Sequence, residues 1–202
     1  MNKLNEPAPA PAPIAAAGAL IDEKTFDARI VLIYGAITDA VAADVTRRLI
    51  ALAAAGSAPI DVMVSSPGGH VESGDVIHDV IRYIDAPVNM IGTGWVGSAA
   101  THLYLAVPRE RRVCLPNTRF LIHQPSSGVV GPASDIAIQA RELLRARERI
   151  AAVIARETGQ PLERVLRDIE RDHWMSATEA AEYGLVSRII ERRSDLAAPA
   201  GS

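Results

Sequence analysis

Apolar positions along the chain change period in a repeating order. Arg29–Tyr34 is a short apolar run with β character, and Asp39–Ala55 carries helical spacing up to Gly56. Ile60–Ser65 is again β-rich and runs straight into Ser66-Pro67-Gly68-Gly69. Val71–Ile84 is amphipathic, with Val76, Ile77, Val80, Ile81 and Ile84 as its apolar stripe. Val88–Thr93 predicts a strand, Ser98–Val107 an apolar helix stopped by Pro108, and Arg119–Ile122 another strand. Ser134–Thr158 is the longest helical pattern and closes at Gly159, which predicts a rod of roughly 38 Å. A shorter helix follows over Pro161–Asp168. Ser176–Tyr183 has Ser176 and Glu179 at capping-box spacing, and Val186–Ile190 predicts the last strand. Strands alternating with helices imply an α/β layered fold with parallel pairing.

The ends differ from this body. Pro7, Pro9, Pro11 and Pro13 alternate with small residues, and proline fixes φ and removes a donor, so the first 20 residues read as an extended arm. The expected organisation is an arm over 1–22, one domain over 23–192 and a flexible tail over 193–202. Ile14–Leu20 is too short and weak for an export signal. No run of 18 apolar residues occurs, which argues against a membrane span.

Composition narrows the classes. The chain has 202 residues, 49% of them hydrophobic, enough for one domain with a core. A net charge of -3 with scattered arginines gives no nucleic-acid footprint. The single Cys114 sits in an apolar run and reads as a small buried hydrophobe; one cysteine fits a reducing cytosol. The histidines lack metal-ligand spacing and no phosphate-binding loop is present, so no metal, no cofactor and no ATP hydrolysis by this chain are expected.

Three segments each suit one part of serine-protease chemistry. Gly94-Trp95-Val96-Gly97-Ser98 carries a hydroxyl into the start of a helix; Ser98 is the candidate nucleophile, although on its own it reads more readily as a helix cap. His123 ends a strand before Gln124-Pro125 and can act as base, although a strand-end histidine is often structural. His102 is a rival, but four residues on it lies along the helix rather than off its end. Asp172 can orient the imidazole, and local evidence alone does not separate it from Asp168, Glu170 and Arg171. Pro67-Gly68-Gly69 offers bare amides, or is a plain turn.

Together, Ser66–Gly69, Leu115–Asn117 through His123-Gln124-Pro125, and Met175–Ala177 through Tyr183–Leu185 resemble the Clp protease proteolytic subunit. The resemblance runs from about Arg29 to Ile190. It implies a crotonase-like spiral of β-β-α units with a protruding handle helix over Ser134–Thr158. It implies a Ser98, His123, Asp172 triad with the amides of Gly69 and Ala99 as oxyanion hole. Glu170 and Arg171 resemble a pair that couples ring contact to triad alignment. The implied assembly is two stacked heptameric rings that degrade unfolded polypeptide in the cytoplasm. An ATP-driven AAA+ Clp unfoldase would feed it, with neither nucleic acid nor membrane as partner.

The pattern departs from the family at several points. Ala99 and Ala100 stand where the family has methionine and glycine, which predicts a roomier S1 pocket favouring large apolar P1 residues unless Trp95 or other side chains refill it. The 124–132 segment, Met63, His102 and the N-terminal arm also differ. Three rival readings follow: a crotonase-like acyl-CoA enzyme, a Ser-Lys peptidase whose only lysines, Lys3 and Lys24, lie in or near the arm, and an inactive ring subunit that only shapes a mixed chamber.

Overall fold

The computed structural model describes residues 14–197, and it opens with helix α1 (Ile14–Asp27) leading into strand β1 (Ile30–Tyr34). Helix α2 (Asp39–Ala55) carries the chain to β2 (Ile60–Ser66), and α3 (Val71–Tyr83) carries it to β3 (Val88–Gly97). These three strands are parallel neighbours. In β2 every second residue is buried, as a strand with one face on the core requires. Thr38 caps α2 by accepting a hydrogen bond from the Val41 amide, and Gly56 ends it.

β3 is the hub, because it forks. Its first half pairs in parallel with β4 (Arg112–Cys114), which pairs onward with β7 (Arg188–Ile189). Its second half pairs in parallel with β5 (Arg119–Ile122), and β5 pairs antiparallel with β6 (His173–Ser176). Leu49 and Leu52 of α2, Ile77 of α3 and Leu103 of α4 (Ala99–Tyr104) are fully buried in one core with the strands. Each such side chain contributes about 1.5–3 kcal/mol of burial.

The long helix α5 (Ala133–Thr158) starts one residue earlier than its pattern suggests and ends on a left-handed Gly159. Residues 131–142 are all exposed, and its buried side chains begin at Ala151, so its outer half leaves the body. The shorter helices α6 (Leu162–Asp168) and α7 (Ala177–Tyr183) follow; α7 begins with the expected Ser176–Glu179 capping box.

Several expectations are corrected. The arm's residues from Ile14 on are helical, since the last proline is Pro13; residues 1–13 lie outside the described residues. Residues Arg193–Ala197, expected in a flexible tail, form a 3-10 turn. Its Asp195 carboxylate accepts from the Glu191 and Arg192 amides, and Leu196 packs beside Ile91, Val113 and Ile190. β3 runs on to Gly97 instead of stopping at Thr93. A Cβ at Gly94 would come within 2.9 Å of Ser65 Oγ, and one at Gly97 within 3.1 Å of Pro67 O. Those glycines admit a close neighbour rather than breaking the strand. α4 ends at Tyr104, and the last strand keeps only two residues.

Candidate active site

Ligand sites in open parallel sheets form beyond the carboxyl ends of the strands. Here Ser66–Gly69 leaves the end of β2, Ser98 the end of β3 and His123 the end of β5, three strands adjacent in the sheet. Ser98 N donates to Leu121 O at 2.9 Å. Thr101 Oγ1 lies 2.9 Å from both Val96 O and Leu121 O, which pins the first turn of α4 to β3 and β5. Ser98 itself sits at φ 56°, ψ -123°, one of two non-glycine residues with positive φ among the described residues. Such backbone costs about 1–3 kcal/mol and persists only when surrounding contacts enforce it.

The sheet register delivers the acid. In the β5–β6 ladder Ile122 faces His173, so one step further puts His123 opposite Asp172. Past the ladder, the Gln124 amide donates to Ile169 O at 2.6 Å and Gln124 Nε2 donates to Glu170 O at 3.0 Å. These bonds hold the two chain segments together on either side of the pair. The outcome is a relay: His123 Nε2 lies 2.8 Å from Ser98 Oγ and His123 Nδ1 lies 2.9 Å from Asp172 Oδ1. Ser98 and His123 are half-buried and Asp172 is exposed. Asp172 requires Nδ1–H, which leaves the Nε2 lone pair for the serine proton.

Gly68 and Gly69 lie against the serine turn. Gly68 N donates to Ser66 Oγ at 3.1 Å, and Gly68 O accepts from the Ile37 amide. A Cβ at Gly69 would sit 2.3 Å from Ile37 O, so no side chain fits there. Among the described residues, neither the Gly69 amide nor the Ala99 amide donates to a protein acceptor.

The remaining residues singled out from sequence take different places. Glu170 pairs with Arg147 of α5 at 2.9 Å, not with Arg171, which is exposed and makes no ion pair among the described residues. Ala99 lines a cavity of about 20 Å³ beside Ser98. Trp95 does not line it; its ring stacks on Trp174 at 6.2 Å. Val71, His102, Ile150 and Ile154 close in instead. His102 is not near His123's role: its Nε2 is bound to Asp75 Oδ1 at 2.9 Å, and its ring stacks on His78 at 4.7 Å. Burial, helped by the neighbouring His78 and opposed by Asp75, pushes its pKa down to about 4, so it is neutral near pH 7. Cys114 is buried, and burial raises its thiol to about 11. Among the described residues no three His, Cys, Asp or Glu side chains gather as metal ligands.

Sequence reasoning missed Gln124 as a clamp and Asp75 as a partner of His102. Gln124 adjoins His123 and was legible by position, whereas Asp75 had no signal, because its partners lie on other helices.

Comparison with known proteins gives the family. The family model described as Clp protease matches residues 16–193. The ATP-dependent Clp protease proteolytic subunit 2 of Gluconobacter oxydans is 59% identical over 178 residues, covering 87% of this chain and 80% of that protein. Its namesake from Pseudomonas aeruginosa is 47% identical over 184 residues, covering 91% and 92%. Among solved structures, ClpP1 from Listeria monocytogenes superposes with a TM-score of 0.80 at 45% identity, covering 87% of this chain and 99% of that one. With the family model spanning nearly the whole described chain, and relatives of this identity across it, the chain belongs to the Clp protease family.

Proposed function

We propose that this chain is a serine endopeptidase subunit in which Ser98 is the nucleophile, His123 the general base and acid, and Asp172 the orienter. The observation that carries the reading is the Ser98 Oγ–His123 Nε2 and His123 Nδ1–Asp172 Oδ1 pair of bonds at 2.8 and 2.9 Å. Ser98 Oγ attacks the scissile carbonyl carbon as its proton passes to His123 Nε2. The carbonyl oxygen becomes an oxyanion held by the Gly69 and Ala99 amides. His123 then returns the proton to the leaving amine, and a water, deprotonated by the same imidazole, releases the acyl group from Ser98. A crotonase-like acyl-CoA reading would leave this aligned relay without a purpose.

The relatives' names include ATP dependence, and this chain has no phosphate-binding loop. ATP use therefore falls to a partner, a Clp-type AAA+ unfoldase that feeds unfolded polypeptide. Assembly into two stacked heptameric rings is supported by the outer half of α5, where Ile136, Ile138 and Leu144 are exposed and no other described residue of the protomer covers them. Glu170 and Arg171, the two residues that immediately precede the exposed Asp172, are the contacts by which such pairing would reach the triad. Among the described residues no helix is long and apolar enough to cross a membrane, in keeping with a cytoplasmic chamber. The test is Ser98→Ala: peptide hydrolysis should fall by about 10⁶-fold with assembly intact. Retained hydrolysis would overturn the assignment.

A further inference from the structure

The cavity beside Ser98 holds about 20 Å³. That is room for about one water, so a leucine-sized P1 side chain fits only if its walls part. Two walls belong to different helices. His102 stands on α4, four residues and therefore roughly 6 Å of helix rise beyond Ser98. Ile150 and Ile154 come from the root of α5, near where that helix leaves the body.

Asp75 of α3 spans the seam between them. Its Oδ1 accepts from His102 Nε2–H at 2.9 Å, and its Oδ2 accepts from Arg149 Nη1 at 2.7 Å. Arg149 directly precedes Ile150. One carboxylate thus ties both walls together. The grip is well sheltered: Asp75's side chain is 18% exposed and His102's 7%, and the His78 ring backs His102. A sheltered, charge-assisted bond is held more firmly than a solvated one.

We propose that Asp75 is a specificity-determining positioning residue: by tying His102 to Arg149 it fixes the width of the P1 pocket and restricts it to small side chains. This rests on the serine-peptidase reading and reverses the large-P1 preference that Ala99 alone suggests. Asp75 touches neither substrate nor the reacting atoms; it acts through His102 and the Arg149–Ile150 stretch. Cutting either arm lets α5 relax away from α4 and admits larger P1 groups without altering the triad.

The test uses the full chain and fluorogenic peptides that differ only at P1, Ala against Leu, with the rate of fluorophosphonate labelling as a separate measure of nucleophile competence. The native protein should favour Ala. Asp75→Ala and Arg149→Ala should each raise the Leu-to-Ala ratio of kcat/KM at least tenfold, through KM, with labelling changed less than threefold. Arg149 is 53% exposed, so its variant keeps the fold even if Asp75→Ala does not. A ratio unchanged in Arg149→Ala, a uniform loss across peptides, or a native preference for Leu overturns the proposal. Labelling and hydrolysis both absent from the native protein would instead overturn the peptidase reading and this inference with it.

Discussion

Gly68→Ala perturbs the serine turn without touching a triad side chain. Gly68 sits at φ +95°, and its added Cβ would lie 2.6 Å from Gly97 O, 2.7 Å from Ser98 Cβ and 2.9 Å from Ala99 N. The first contact is about 0.8 Å short of ordinary van der Waals distance. Two of the three atoms are backbone and the third is a Cβ, so no rotamer change relieves them. The serine turn must shift by several tenths of an ångström, breaking the 2.8 Å approach of Ser98 Oγ to His123 Nε2 and moving the Ala99 amide. A displacement near 1 Å at a reacting group costs about 10²-fold in rate. Strain at this φ adds about 1–3 kcal/mol and overpacking about 1–3 more. At about 2–4 °C per kcal/mol this predicts a Tm lower by roughly 5–20 °C. Gly35→Ala is the control: φ is +78°, but nothing lies within 4 Å of its Cβ. It should lose the backbone-strain part alone, about 1–3 kcal/mol, and no activity. The assay is kcat on a fluorogenic peptide beside a thermal melt. A Gly68→Ala variant with kcat within threefold of native, or a Gly35→Ala variant equally impaired, refutes the reasoning.

Two further outcomes follow. His102 has a folded-state pKa of about 4 against an ordinary 6.5, depressed chiefly by burial. Its stabilising effect is therefore complete above pH 6.5 and is lost as pH falls from about 6.5 to about 4, by roughly 3 kcal/mol in all. Denaturant melts across that window should show a shallower decline for His102→Phe, and an identical decline contradicts the account. Light scattering should find a large closed oligomer, and Arg171→Ala should reduce both its mass and its peptidase rate; unchanged mass and rate would make Arg171 ordinary surface charge.

The proposed triad was legible because each member lies in a segment with its own signature, yet the choice of Asp172 over Asp168 or Glu170 came from resemblance. Its physical reason is the β5–β6 register, and that was invisible: His173–Ser176 is four residues without alternation, too short to read as a strand. β4 escaped notice for the same reason, since all three of its residues are buried and show no period. The parallel core strands and α2, α3 and α5 were clear, because their periodicity is local. The Asp75–His102–Arg149 grip was not, because it joins three helices far apart in the chain and no local pattern encodes which charged residue meets which. Ala99 illustrates the same limit: one small residue suggested open space, and Ile150 and Ile154 from α5 close it.

The most direct test of the central claim is to label the purified protein with a fluorophosphonate and locate the adduct by mass spectrometry. The account predicts one adduct, on Ser98, abolished in His123→Ala and retained in His102→Ala. An adduct on any other residue, or labelling at Ser98 that survives removal of His123 undiminished, would contradict it.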